Sequence, residues 1–225
     1  MSENLNRGFD IPLGELENLL SMEINGNLEG YNRIIPLRDM AQVNSISCFK
    51  DEVFYSLIRN IPIKGTNTMP YANSNIRVFD RGFEGLEVGQ TFLLESKILS
   101  IMKNLSGKGL LGNFMIGGIS NMLPLQIYGR DSDEKKAIAF YIPPIVEKHD
   151  DEAILLDGMH RTHICGTAGS AIKAVHISKV GVELPFKPIS WKDTNVVNTK
   201  PDIDKRYINL RTEFYRDLSA VGIDG

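Results

Sequence analysis

The chain has 225 residues, 42% of them hydrophobic and 24% charged, with a formal net charge of −3. That balance excludes the disordered and fibrous classes, leaves enough chain for a full core, and argues against a surface built to neutralise a nucleic-acid backbone. Cys48 and Cys165 lie far apart and outside any zinc spacing, so neither a disulfide framework nor structural zinc is expected, and a cytoplasmic location fits. No charged-then-apolar leader opens the sequence and no eighteen apolar residues run together, so no membrane segment is expected.

In chain order, apolar residues at Leu16, Leu19, Leu20 and Ile24 predict a short amphipathic helix over 13–24, ending at the turn signal Asn25-Gly26-Asn27. Val53, Phe54, Leu57, Ile58 and Ile61 predict a second helix over 49–61. Lys64 to Pro70 and Asn73-Ser74-Asn75 have the composition of loops, which places a boundary near residue 75 and makes residues 1–75 an N-terminal helical extension of unknown role. From Ile76 a mixed order begins, with a strand over 76–79 and a helix over 94–105 carrying Leu94, Ile98, Ile101, Met102 and Leu105. The glycines at 107, 109, 112, 117 and 118 lack the spacing and the Lys-Ser/Thr of a phosphate loop and are assigned to loop or packing.

Ala137 to Val146 predicts a strand broken by Pro143-Pro144, followed by an acidic turn over 149–152 and a buried strand over 153–156. A helix over 161–167, stopped by Gly169, leads to a strand over 174–180. Beyond a polar loop around Trp191, Tyr207, Leu210, Phe214 and Leu218 predict a charged amphipathic helix over 204–218, with the Lys and Arg residues between Lys192 and Arg216 as its solvated face. His149 falls in a turn and His176 in a strand. Cys165 is expected as a small buried side chain.

The chemistry concentrates in Leu156-Asp157-Gly158-Met159-His160-Arg161-Thr162. A strand stops at a carboxylate, the chain turns on glycine, and a helix opens with an imidazole, a guanidinium and a hydroxyl on its first turn. The unpaired amides of a helix N-terminus suit an anion, and a guanidinium fork takes two of its oxygens at once. Asp157 is then placed to hold a metal or accept a proton, its other role being to cap the helix amides. His160 and His163, three apart on one helical face, also read with Asp157 as a three-ligand metal set.

The string Pro143-Pro144-Ile145-Val146, an acidic turn, Ala153 to Arg161, a helix, Gly169 and Ala174-Val175-His176-Ile177 resembles the core of the ParB/sulfiredoxin superfamily over about residues 140–182. Residues 76–105 look like that core's opening strand, loop and helix, and the first 75 residues resemble nothing known. The resemblance implies an α+β fold, a small mixed sheet with packed helices. It also implies a nucleotide-binding core over 76–190, with 191–225 packed on it as loop and helix, and phosphate binding at Gly158, Met159, His160, Arg161 and Thr162. Met159 stands where sulfiredoxins carry their catalytic cysteine, which removes that nucleophile, and too little chain follows for the DNA-binding domain of a partition protein. The motif is most similar to that of free-serine kinases.

That similarity implies phosphoryl transfer from ATP or ADP, with Mg²⁺, to a small hydroxyl-bearing metabolite. Arg161 would hold phosphates, His160 would donate a hydrogen bond to one, and Asp157 would bind the metal or deprotonate the acceptor. In Gly85-Leu86-Glu87-Val88-Gly89-Gln90 the kinases' catalytic glutamate aligns with Gln90, which serves here as a nucleotide contact and not as a base. Glu87 and Glu95 are the nearest acids in sequence. Two other readings stay open: a nucleotide-regulated DNA-binding or nuclease protein that uses residues 1–75 as its contact surface, and a non-catalytic nucleotide sensor, suggested by Gln90.

Overall fold

The apolar run from Ala137 to Val146 divides at its proline pair, because proline has no N–H to continue a ladder, and the two halves go to different bodies. One compact unit takes the chain to Ala72, then Leu123–Ile142 and the residues from Arg216; the other takes Asn73–Met122 and Pro143–Tyr215. The chain therefore visits each unit more than once, where the sequence suggested a linear division at 75 and 190.

The computed structural model describes residues 8–24, 28–82, 84–107 and 123–224. The Asn25-Gly26-Asn27 turn and the glycine-rich run after Gly107 lie outside these. The first elements are β1 (Ile11–Pro12), α1 (Leu13–Leu20), β2 (Arg33–Ile34), β3 (Gln42–Cys48), α2 (Asp51–Arg59), β4 (Asn75–Arg81), β5 (Leu86–Val88), β6 (Phe92–Leu94) and α3 (Glu95–Gly107). Next come β7 (Leu125–Arg130), β8 (Lys136–Tyr141), β9 (Ile145–His149), β10 (Glu152–Asp157), α4 (Met159–Thr167) and β11 (Ile172–Ser178). The last are β12 (Ile189–Ser190), β13 (Asn195–Val197) and α5 (Ile203–Arg206). The fold is α+β, and none of the described helices is long and apolar enough to cross a membrane.

The first unit is a five-stranded sheet in the order β1-β2-β8-β7-β3. Its core joins Leu16 and Leu20 of α1 and Val53, Phe54, Leu57 and Ile58 of α2 with Ile34, Ile127 and Ile138 of the sheet, all buried. The β7–β8 turn is closed by Asp131, whose Oδ1 accepts the amides of Asp133 and Lys135 at 2.9 Å each. The expected helical extension is therefore corrected: the described residues up to 72 supply two α-helices, a 3-10 turn at Leu37–Asp39 and three strands. β3 escaped prediction because it lies at the sheet's edge with almost every residue exposed, so its sequence carries no buried-face alternation. α1 stops at Leu20 because Ser21 turns left-handed at φ 54°, though Ile24 beyond it is buried as expected.

The second unit is a six-stranded sheet in the order β12-β5-β10-β9-β11-β4. β10 runs parallel to β5 and antiparallel to β9, and β11 lies between β9 and β4. Leu86, Val88, Leu93, Val146, Ala153, Leu155, Met159 and Ala174 form its core, with Ile98, Ile189 and Trp191 packed against it. β6 and β13 form a separate parallel pair. The α4 helix ends as predicted, with Gly169 at φ +67° and the Ser170 amide bonded to the Cys165 carbonyl.

The helix expected over 204–218 is absent. Only the single turn α5 and a 3-10 turn at Thr212–Phe214 form; between them Tyr207 and Ile208 bridge to Gln90 and Lys187, and Asn209 adopts φ 52°. The apolar spacing of Tyr207, Leu210, Phe214 and Leu218 is accidental: none of them is fully buried, and the backbone groups find partners on neighbouring strands.

Candidate functional site

At the end of β10 the chain reverses through Gly158, which has φ +89°. A Cβ there would fall 2.7 Å from Pro144 Cβ and Cγ, so only glycine fits both the backbone and the space. α4 follows at once, its Thr162 amide bonded to the Gly158 carbonyl at 2.8 Å. Asp157 turns to the guanidinium one helical turn ahead: Arg161 Nη2 donates to Asp157 Oδ2 at 2.6 Å, with both side chains largely buried.

His160 is buried, and its Nε2 accepts the Leu94 amide at 2.9 Å, which puts the proton of the neutral ring on Nδ1. Burial, and after it the charges of Lys97, His163 and Arg161, lower its pKa to about 4. The imidazole is therefore neutral at physiological pH. Its link to Leu94 holds the start of α3 against the start of α4.

The other predicted residues separate. Met159 points into the core, leaving its backbone as the part nearest the turn. The Thr162 side chain is fully buried, and its Oγ1 has no partner. Gln90 Nε2 donates to Tyr207 Oη at 2.9 Å, and the two residues also bridge through their backbones. Leu86 and Val88 face the core that holds Met159, so Glu87 between them lies on the opposite face of the sheet. Glu95 is exposed on the first turn of α3. Among the described residues no three His, Cys, Asp or Glu side chains gather as metal ligands, so Asp157, His160 and His163 are not such a set. Cys165 is buried, and its thiol is pushed up to about 12 by burial.

Four residues that sequence reasoning missed complete the surroundings of the turn. Tyr207, its pKa raised chiefly by burial, is hydrogen-bonded to Gln90 and Tyr215 and lies within electrostatic reach of Arg206 and Asp157. The charge of Arg206 acts in turn on Lys200, as does that of Lys97, and Lys97 also acts on His160. The electrostatic interactions close on themselves, from Asp157 through Arg161 and His160 to Lys97, Lys200, Arg206, Tyr207 and back. The members of this ring include four cations, Arg161, Lys97, Lys200 and Arg206, with the carboxylate of Asp157. No local pattern marked Lys97, Lys200 or Arg206, because strand pairing brings them together across about a hundred residues of chain.

No protein-family model matches this chain, and no curated protein or solved structure is similar to it.

Proposed function

We propose that the protein is a cytoplasmic nucleotide-binding enzyme that transfers a phosphoryl group from ATP or ADP to a small hydroxyl-bearing metabolite. The observation that carries the reading is the glycine turn that sets the N-terminus of α4, the guanidinium of Arg161 and neutral His160 side by side, since phosphoryl transfer depends on positioning and neutralising phosphate oxygens. In this reading the first amides of α4 and the guanidinium of Arg161 hold phosphate, and neutral His160 offers its Nδ1 proton. A Mg²⁺ ion fits the donor set, because it takes one carboxylate together with phosphate oxygens and water; Asp157 would hold it, and it would neutralise charge on the transferred group. Asp157 stays oriented by Arg161 throughout.

Calorimetry with ATP, ADP, CTP and GTP, with and without Mg²⁺, tests the site. The expected result is binding of an adenine nucleotide that weakens tenfold or more in Arg161→Ala and by a smaller factor in Arg161→Lys, which keeps charge but loses the fork. Unchanged affinity in Arg161→Ala would sink the assignment, and no nucleotide binding in the wild type would sink the reading as a whole.

A second reading, the non-catalytic sensor, is favoured by one feature: Asp157 and Gln90, the groups nearest to an acid–base role, are committed to Arg161 and Tyr207. ATP bound without being consumed in the presence of hydroxyl metabolites would select it.

A further inference from the structure

We propose that Lys97, Lys200 and Arg206 form a second anion subsite beside the turn, which takes an acid group, phosphate or carboxylate, carried by the acceptor. The assignment of that group to an acceptor rests on the phosphoryl-transfer reading; the subsite itself does not.

Backbone geometry builds it. β6 and β13 pair in parallel with Leu94 opposite Val197, so the two chains leave the pair in the same direction. Lys97 lies three residues beyond Leu94, and Lys200 lies three beyond Val197. Thr91 then ties the returning chain to the same place: its amide donates to the Arg206 carbonyl at 3.0 Å and its hydroxyl to the Lys205 carbonyl at 2.7 Å. Arg206 Nε donates to the Pro201 carbonyl at 2.7 Å, which fixes the guanidinium beside Lys200. Asp202, an acid of this loop, is paired with Lys205 at 3.6 Å.

The electrostatics agree. Lys200 is lowered from its ordinary pKa first by partial desolvation and then by the like charges of Arg206 and Lys97. An anion placed among them would remove that repulsion. The subsite adjoins the turn through Lys97, which also bears on His160. A substrate held there by its acid group would present its other end toward Asp157. Neutral alcohols would lack that anchor, so the subsite narrows the acceptors to hydroxyl compounds that carry a phosphate or a carboxylate.

The test is an NMR titration of the full chain with glycerol phosphate, glycerate and glycerol, beside ATP calorimetry, for the wild type and the Lys97→Ala/Lys200→Ala variant. Both lysines are exposed, so the variant keeps the fold. One anionic probe is expected to bind, with at least a tenfold loss in the variant, while glycerol does not bind and ATP affinity changes by less than threefold. The probe that binds distinguishes phosphate from carboxylate. Probe binding that is absent or insensitive to the variant overturns the subsite. A tenfold loss of ATP with no change in the probes also overturns it, by assigning the lysines to the nucleotide. Lysine-dependent probe binding with no ATP binding leaves the subsite standing and removes the nucleotide reading.

Discussion

The turn from Asp157 to Thr162 and the segment from Asn195 to Tyr207 flank one site, yet they are specified in opposite ways. The turn is local: a strand end, a glycine that no side chain can replace, a helix start, and an i,i+4 ion pair, all within a few residues. The segment has only the short strand β13 and the single turn α5, and holds its position through β6, Thr91 and Gln90. A rigid, self-specified element thus faces one that is positioned entirely by its neighbours. The turn resists change at its glycine, whereas the segment yields wherever one of its ties is cut.

Three substitutions or conditions break or sharpen that contrast. The largest effect belongs to the turn. Gly158→Ala forces a side chain into left-handed backbone and against Pro144, and is expected to cost roughly 2–4 kcal/mol of folding stability, read from urea denaturation. A smaller loss would mean that the turn relaxes and is less rigid than its geometry.

The second concerns the link between the two regions, His160. In the folded chain it takes a proton at about pH 4, against 6.5 when unperturbed. Between those values the unfolded state binds the proton first, so stability is full above pH 6.5, falls as the pH drops toward 4, and levels off below. The difference corresponds to roughly 3 kcal/mol. His176, stacked on Phe79 at 3.7 Å and also lowered to about 4 by burial and Arg81, acts in the same direction. Denaturation midpoints across this range should therefore fall with acidification, less steeply in His160→Gln, and an equal slope in the two proteins would refute the link.

The smallest effect belongs to the segment. Tyr207→Phe removes the hydroxyl that receives Gln90 and is expected to cost about 1 kcal/mol. A double-mutant cycle with Gln90→Leu should show coupling of similar size, and strict additivity would mean that the tie contributes nothing.

How much was legible follows the same division. The α2 helix, the broken run at Pro143, the strand before Asp157 and the stop at Gly169 were readable because each writes its periodicity or its breaker into adjacent residues. β3 was not, because an edge strand with both faces wet has no alternation to read. The helix expected over 204–218 failed for the converse reason. Its apolar spacing matched a helix by chance, while the bridges from Tyr207 to Gln90 and from Ile208 to Lys187 took the backbone elsewhere. At the turn, the adjacency of Asp157, His160 and Arg161 was readable from their motif, but their partners were not. That Arg161 holds Asp157 and that the Leu94 amide occupies His160 are facts of packing.

By itself, the sequence determined the α+β class, the proline break and the glycine turn with its His-Arg pair, because these depend on φ, on missing N–H groups and on side chains a few residues apart. Tertiary structure alone decided the two interleaved units, the neutral state of His160 and the gathering of Lys97, Lys200 and Arg206. Those depend on burial and on strand register between distant segments, where the free energy comes from contacts that no local window contains.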